Sequence, residues 1–278
     1  MGLEKIYIKD VSSLNKKISE LRKEKIMVLS DFDKTFTRLM YNGEKHITLI
    51  AQIRDGGYLS NNYPERATEL YYKYYPFEND TSISFKKREE KMREWWSKHI
   101  KLLVECGLNK QVVDEINNKK KIKLRMGAAE FLRELNVNDI PLLIISSGVG
   151  DMIEFIFKSN GLLYNNMYIL SNFFKYDENG MVLGYKNEII HTLSKSKIYI
   201  ENKEFNEKIK NKTQIILLGD MLSDLRMKDS FDYENILTIG FLNEDIQDKL
   251  QEYMDSYDIV IANDGSFNKV LEILSKIK

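Results

Sequence analysis

A short apolar run at residues 26–29 is followed almost at once by two aspartates, Asp31 and Asp33, one residue apart. Such a run predicts a buried strand, and α/β sheets place their chemistry beyond the carboxyl ends of their strands. Because side chains alternate along extended chain, we expect Asp31 and Asp33 to share one face while Phe32 turns into the core. Two carboxylates this close favour a hard cation, with one acid attacking an electrophile and the other moving a proton. The same pattern also occurs in helix caps and turns, so a structural role stays open at this point.

Two later apolar runs end in the same way. Residues 140–145 lead into 146–151, a stretch of mostly small residues that we expect to form a turn opening a helix. Residues 215–218 lead into a loop that contains Asp220 and Asp224. Three apolar strands that end in polar loops predict a parallel sheet with one active edge. Asp31, Ser146 and Asp220 should meet there.

The remaining pattern alternates between strands and helices. Short strands are expected near residues 168–170, 237–239 and 259–261, with a hairpin at 173–185 and helices at 11–25, 127–135, 151–160 and 244–254. Ser12 or Ser13 is the expected N-cap of the first helix. This alternation favours an α/β fold with a doubly wound, mostly parallel sheet.

Residues 37–125 contain no further strand as apolar as the others, but show helical spacing with many aromatic side chains. We interpret this stretch as a helical cap inserted after the first catalytic loop. The expected division is a catalytic core at residues 1–40 and 126–278, with the cap at residues 41–125.

Composition excludes several classes of function. Lys plus Arg equals Asp plus Glu at 42 each, so no net field would attract nucleic acid or an anionic membrane. Cys106 is the only cysteine, which excludes an intramolecular disulfide and a multi-cysteine zinc site. No apolar stretch approaches the roughly 20 residues needed to cross a bilayer, and the N-terminus lacks a signal-peptide pattern. We therefore expect a cytoplasmic monomer with no nucleic-acid or membrane partner.

Four groups of residues carry a resemblance to known enzymes. In chain order they are Asp31-Phe32-Asp33, Ser146-Ser147-Gly148, Lys195, and Gly219-Asp220 with Asp224. Their order resembles the four-motif pattern of the haloacid dehalogenase superfamily. Segments 29–33, 170–173, 217–220, 224–227 and 252–260 are similar, more closely, to the cytosolic pyrimidine 5′-nucleotidase family, also called cytosolic 5′-nucleotidase III. The resemblance implies a haloacid dehalogenase-like core and a Mg²⁺-dependent hydrolase of nucleoside 5′-monophosphates.

The resemblance also implies catalytic roles. Asp31 is the nucleophile that forms an aspartyl-phosphate, and Asp33 is the general acid and base. Crowding by Asp31 is expected to favour a proton on Asp33. Mg²⁺ is the implied cofactor, with Asp31, Asp220 and the backbone carbonyl of Asp33 as ligands.

Phosphate binding is assigned by the same resemblance. Ser146 would donate its hydroxyl, and Ser147 would add a backbone amide at a helix start. Lys195 would neutralise a phosphate oxygen and restrain the nucleophile. Asp224 would hold Lys195 or a metal-bound water.

The cap should recognise the base. By alignment with the family, Glu78 accepts hydrogen bonds from the base. Trp96, with Phe77 or Tyr75 as alternatives, is expected to stack on the base, although aromatic side chains at helical spacing also pack in cores. Because adjacent helical residues face different ways, we expect only one of Trp95 and Trp96 to meet the base. His99 stands where the family commonly has a small hydroxyl residue. The preferred base stays open among cytosine, uracil and 7-methylguanine, the last favoured by cation–π attraction to a tryptophan.

Two other interpretations remain at the level of sequence. One is a phosphatase of the same superfamily that acts on another small ester, such as a phosphosugar. The other is a non-catalytic nucleotide-binding relative, which the intact motifs disfavour.

Overall fold

The computed structural model describes residues 3–41, 43–45, 48–60, 62–78, 80–196 and 199–278. The strands are β1 Lys5–Ile8, β2 Ile26–Ser30, β3 Met40–Tyr41, β4 Glu44–Lys45, β5 Leu142–Val149, β6 Met167–Asn172, β7 Phe174–Tyr176, β8 Val182–Tyr185, β9 Gln214–Gly219, β10 Asn235–Leu242 and β11 Ile259–Ala262. The α-helices are α1 Val11–Glu20, α2 Leu49–Asp55, α3 Tyr63–Tyr74, α4 Phe85–Glu105, α5 Lys110–Asn118, α6 Ala128–Val137, α7 Gly150–Ser159, α8 Lys203–Ile209, α9 Ile246–Ser256 and α10 Asn268–Lys276. Short 3₁₀ helices span Lys23–Lys25, Tyr75–Glu78 and Leu222–Ser230.

Seven strands form the central sheet in the order β1-β11-β10-β9-β2-β5-β6. All neighbouring strands in it are parallel except β1, which runs antiparallel to β11. Both faces are covered, because alternate residues of β2 enter different clusters: Val28 packs in one and Leu29 in the other. The predicted mostly parallel α/β sheet is therefore confirmed. Its strand order brings the carboxyl ends of β9, β2 and β5 side by side.

The N-terminal segment differs from expectation. The N-cap of α1 is Asp10, whose side chain accepts hydrogen bonds from the backbone N–H groups of Ser12 and Ser13. Those serines lie in the first turn of the helix, so the prediction that one of them is the cap is wrong. Helix α1 ends at Glu20 rather than continuing to residue 25. Strand β1 was not predicted, because its residues are largely exposed and it forms only by pairing with the distant β11.

Helices α2 to α5 follow β2 and form the predicted helical region. The hairpin of β7 and β8 joins them, since the N–H of Lys110 donates to the carbonyl of Gly180 at 2.8 Å and the N–H of Val182 to that of Leu108 at 3.0 Å. Division into core and cap remains a prediction. The hairpin contacts suggest that a cap would include residues 174–185 as well as 41–125. Among the described residues, none of the helices has the length and apolar character needed to cross a membrane.

Candidate active site

A cavity of about 480 Å³ opens at the carboxyl ends of β2, β5 and β9, between the sheet and helices α2 to α4. It brings together nearly all of the residues proposed from the sequence, which are Asp31, Asp33, Glu78, Trp96, His99, Ser146, Ser147, Lys195 and Asp220. Asp224 lies next to this lining and is almost fully buried.

A buried ion-pair network forms the floor of the cavity. The ammonium of Lys195 lies 2.6 Å from Asp31 Oδ1 and 2.8 Å from Asp224 Oδ1. Burial alone lowers the pKa of Lys195, but the charges of Asp224 and Asp31 raise it above its usual range, so the side chain stays cationic. The lysine therefore holds Asp31 in place and carries positive charge to the floor of the cavity.

The loop after β9 is shaped around Asp224. Its Oδ2 accepts hydrogen bonds from the N–H groups of Asp220, at 3.0 Å, and Met221, at 2.9 Å. Gly219 makes this possible, because a Cβ there would lie 2.5 Å from the Cβ of Asp224. Asp224 thus bridges the loop backbone and Lys195.

Asp33 is held at the start of helix α2. The backbone N–H of Leu49 donates to its carboxylate, which also lies against Gly148. Burial raises the pKa of Asp33 to about 6, and the hydrogen bond from Leu49 opposes the rise. Removal from water, and not the crowding by Asp31 that was expected, causes the rise in the pKa of Asp33. A carboxyl with this pKa can both donate and accept a proton near neutral pH.

Ser146 and Ser147 lie within β5, which continues to Val149 with an irregularity between Ile145 and Val149. The expected turn at 146–151 is therefore wrong, and the amide of Ser147 belongs to the strand rather than to a helix start. Helix α7 begins only at Gly150. The hydroxyl of Ser146 accepts a hydrogen bond from the N–H of Gly148 at 3.0 Å, which orients it at the cavity wall.

Three carboxyl groups at this site fit a hard cation. One oxygen each of Asp31, Asp220 and Asp224 lie within 4.8 Å of one another. Burial raises the pKa of Asp31 to about 7, against the opposing effect of Lys195. Burial also raises the pKa of Asp220, and the neighbouring charge of Asp31 adds to the rise. Charging Asp31 and Asp220 together therefore calls for additional positive charge, and oxygen donors are the ligands that Mg²⁺ prefers.

The opposite end of the cavity is aromatic and contains one acid. Glu78 ends the 3₁₀ helix Tyr75–Glu78 and is 7% exposed. Burial raises the pKa of its carboxyl, and the hydroxyl of Thr192 opposes this. Both Trp95 and Trp96 line the cavity, and the expectation that only one of them meets the base stays a prediction. Helix α4 runs along the wall, and the large indole of Trp95 reaches the cavity while also packing beside Tyr74.

His99 lines the same wall and is bound to a buried tyrosine. Its Nε2 lies 3.0 Å from the hydroxyl of Tyr63. Burial lowers the pKa of His99 to about 4, and the charge of Arg54 adds to the effect. His99 is therefore neutral near pH 7, and it does not repel a cationic base.

Comparison with known proteins agrees with this geometry. The sequence pattern of the family described as "Pyrimidine 5'-nucleotidase (UMPH-1)" matches residues 34–278. The chain belongs to this family. It is 36% identical over 264 residues to a rat protein named 7-methylguanosine phosphate-specific 5′-nucleotidase. The alignment covers 94% of this chain and 88% of the rat protein. The region that the family pattern matches begins directly after Asp33.

Solved structures extend the likeness. The crystal structure of cytosolic 5′-nucleotidase IIIB bound to cytidine superposes with a TM-score of 0.87 at 26% identity, covering 98% of this chain and 93% of that one. A probable phosphoserine phosphatase from Vibrio cholerae matches with a TM-score of 0.54 at 14% identity, covering 96% and 70%, and shows the fold alone. The core of this pyrimidine 5′-nucleotidase family member is thus haloacid dehalogenase-like.

Several site residues of this family member were not singled out from the sequence. Arg54, Lys34 and Lys45 line the cavity and give it local positive charge, although the chain has no net charge. Lys34 and Lys45 both pair with Glu244, the former at 3.1 Å. A single lysine or arginine in a sequence carries no signal of this kind, because most are solvated.

Asn172 connects two parts of the site. Its Nδ2 donates to the carbonyls of Ser147, at 2.9 Å, and Ile190, at 2.8 Å, and its Oδ1 accepts from the N–H of Ile190 at 2.9 Å. The segment that leads to Lys195 is thereby tied to strand β5, which carries Ser146 and Ser147. Residues 170–173 were similar to the family in sequence, and these bonds give that similarity a physical role.

Arg125 holds the loop that follows Asp31 and Asp33. Its guanidinium is fully buried and pairs with Asp264 at 3.1 Å. It also donates hydrogen bonds to three backbone carbonyls of the loop, those of Lys34, Thr35 at 2.8 Å and Thr37 at 3.2 Å. Burial lowers the pKa of Arg125 to about 10, opposed by Asp264, so it stays charged. The hydroxyl of Thr35 has no hydrogen-bond partner among the described residues, so its backbone carbonyl alone ties Thr35 to Arg125.

Proposed function

We propose that this protein is a Mg²⁺-dependent 5′-nucleotidase that hydrolyses nucleoside 5′-monophosphates to nucleoside and phosphate. One observation carries the proposal. A single cavity has the Asp31–Lys195–Asp224 network at one end and Glu78 with two tryptophans at the other. A molecule with a phosphate at one end and an aromatic base at the other matches both ends.

The reaction would proceed in two half-reactions. In the first, a carboxylate oxygen of Asp31 bonds to phosphorus, the bond from phosphorus to the 5′ oxygen breaks, and Asp33 gives its proton to that oxygen. In the second, Asp33 takes a proton from a water, whose oxygen attacks the aspartyl-phosphate and releases phosphate and free Asp31. Lys195 and the hydroxyl of Ser146 would hold the phosphate oxygens during both steps.

Asp31, Asp220 and the backbone carbonyl of Asp33 would hold Mg²⁺, with Asp224 close enough to take part. When bound, the ion would neutralise charge on the phosphate oxygens and lower the pKa of the nearby carboxyls. Lys195 already donates a hydrogen bond to one oxygen of Asp224. This contact favours Asp224 as a residue that holds Lys195 over Asp224 as a primary ligand of the metal.

Base recognition would depend on the cap side of the cavity. Glu78 would accept hydrogen bonds from the base, and Trp96 would stack on it beside His99. The relatives are named for 7-methylguanosine phosphate, and cytosolic 5′-nucleotidase IIIB was crystallised with cytidine. A carboxylate and indole rings suit a cationic base, and a neutral His99 does not oppose one. We propose CMP, UMP and 7-methyl-GMP as substrates.

A substrate panel tests this function. Phosphate release would be measured with Mg²⁺ for CMP, UMP, 7-methyl-GMP, AMP and a set of phosphosugars. We expect one or more of the first three nucleotides to have the highest kcat/KM. Preference for a phosphosugar would instead identify a phosphatase of another small ester.

Two variants sharpen the panel. Asp31→Asn should fold and bind nucleotide but release no phosphate, because a neutral amide does not attack phosphorus. Glu78→Gln should raise KM for the preferred nucleotide and leave the hydrolysis of a small artificial ester such as p-nitrophenyl phosphate unchanged. Phosphate release by Asp31→Asn at the wild-type rate would exclude the mechanism.

A monomer and a cytoplasmic location belong to the same proposal. Light scattering at assay concentration should give the mass of one chain, 32.7 kDa.

A further inference from the structure

The backbone of Asp220 and Met221 is held at all four of its polar groups. The two N–H groups donate to Asp224, as described above. The carbonyl of Asp220 accepts a hydrogen bond from the hydroxyl of Tyr253 at 2.5 Å. The carbonyl of Met221 accepts one from the hydroxyl of Tyr257 at 2.6 Å. Three side chains therefore determine the path of the dipeptide that carries a proposed metal ligand.

The two tyrosines form a rigid pair. Tyr253 lies on α9 and Tyr257 caps its C-terminal end, four residues later, so both rings project from the same side. Their ring centroids are 5.7 Å apart with planes inclined by 29°. Tyr257 is fully buried, and its ring occupies space beside Gly240 where a Cβ would come within 2.6 Å.

We infer that Tyr253 and Tyr257 are positioning residues for the metal site, acting on the carboxylate of Asp220 through its backbone. The inference rests on the proposed function, since it concerns how the metal ligand is held. With the backbone of Asp220 bonded on both sides, only rotation of its own side chain can move the carboxylate. A ligand already in place binds a cation without the cost of ordering a loop.

The chemistry of the two hydroxyls supports this role. Each hydroxyl is the only polar group of its side chain, and each donates to a backbone carbonyl of the loop after β9. The residues also lie in segment 252–260, which was among those most similar to the family. These contacts provide a reason for tyrosine, rather than phenylalanine, at both positions.

Tyr253→Phe and Tyr257→Phe test the inference, because each removes one hydroxyl and keeps the ring. Binding of Mg²⁺, or of Mn²⁺ followed by electron paramagnetic resonance, would be titrated without nucleotide. Loss of one hydrogen bond that orders the ligand should weaken the metal affinity about three- to tenfold in each variant. The double variant should be weaker than either.

Tyr176→Phe is the matched control. It removes a hydroxyl bound to Asp151 at 3.2 Å, on the hairpin that packs against the cap helices. Its metal affinity should equal that of the wild type. In the tyrosine-pair variants, the Mg²⁺ concentration for half-maximal rate should rise in step with the metal dissociation constant, while KM for nucleotide at saturating Mg²⁺ stays unchanged.

The outcomes separate this inference from the function on which it rests. Wild-type metal affinity in both single variants would overturn the inference, even if their melting temperatures fell. A wild-type protein that binds no divalent cation would overturn the metal site and the inference together. Metal binding that is weakened as expected, in a protein that hydrolyses no nucleotide, would support the positioning role and refute the proposed activity.

Discussion

Single residues show how the same chemical group acquires a role from its surroundings. Asp33 and Asp31 are neighbours in sequence, yet one is bound by a backbone N–H and the other by the ammonium of Lys195. This difference suits one to proton transfer and the other to nucleophilic attack. His99 is a further example, because burial rather than a charged partner is the main reason that it is neutral.

His99 should make the protein less stable in mild acid. Its pKa is lowered to about 4 in the folded protein from an ordinary 6.5, so the folded state binds its proton less readily than the unfolded chain. Its contribution to stability is therefore complete above pH 6.5 and is lost as pH falls from 6.5 towards 4. The loss across this window is on the order of 3 kcal/mol.

His99→Gln should reduce this acid sensitivity, because glutamine can still meet the hydroxyl of Tyr63 and does not titrate. Urea unfolding at pH 7.5, 6 and 5 would measure it as the free energy of unfolding. Parallel decline of the wild type and the variant over this range would contradict the assignment.

At the scale of elements, catalysis depends on loops held by partners from elsewhere in the chain. Arg125 directly precedes the return of the chain into the core, and it binds three carbonyls of the loop after Asp33 as well as Asp264. The loop after β9 is held in a similar way by Tyr253 and Tyr257. In both cases the acceptors include backbone carbonyls. Every residue has a backbone carbonyl, so the residue types of the loop do not reveal these contacts.

Arg125→Lys should lower kcat with little change in KM. Lysine keeps a charge for Asp264 but loses the planar fork that reaches several carbonyls, so the loop carrying Asp33 shifts. A misplacement of about 1 Å can cost roughly 100-fold in rate. Steady-state kinetics on the preferred nucleotide would measure the effect.

Gln214→Ala provides the control for lost stability. Gln214 is buried at the start of β9, at the other end of the strand from the site, and binds the backbone of Glu20 and Arg22. The Gln214→Ala variant should have a lower melting temperature than the wild type and an unchanged kcat. A fall in kcat of equal size in both variants would attribute the effect of Arg125→Lys to stability alone.

At the scale of the whole molecule, the site joins distant parts of the chain and collects acidic groups in a buried place. Asp31 comes from the first parallel strand and Asp220 from a strand far along the chain, and burial opposes charging them together. A bound cation should therefore stabilise the entire fold, since it binds only when these segments are assembled.

Mg²⁺ at about 100 times its dissociation constant should stabilise the folded state by about 2.7 kcal/mol. For a chain of this size, that corresponds to a rise of roughly 5 °C in melting temperature over protein treated with EDTA. Differential scanning fluorimetry would measure the shift. Asp220→Asn should abolish it, whereas Asp229→Asn, which changes a half-exposed carboxylate, should keep it. An equal shift in both variants would place the cation elsewhere.

Much of the fold was predictable because it depends on local patterns. Apolar runs of strand length specified β2, β5 and β9, and the aspartates that follow two of them indicated the active edge. Strand β1 was missed because its stability comes from pairing with β11. The N-cap of helix α1 is Asp10 where Ser12 or Ser13 was expected. Which of several adjacent polar residues caps a helix depends on the backbone conformation and not on residue type alone.

The sheet, its active edge and the aspartates at that edge could be read from the residues alone, because apolar runs of strand length and the residues that end them are local properties. The tertiary structure supplies the distances and the burial of the contacts of Lys195 with Asp31, 164 residues earlier, and with Asp224, 29 residues later, which only the family resemblance had implied. It also decided that both tryptophans face the cavity and that two tyrosines hold the Asp220 loop. Such contacts join separate elements through the packing of the whole core, and the residue types alone do not record them.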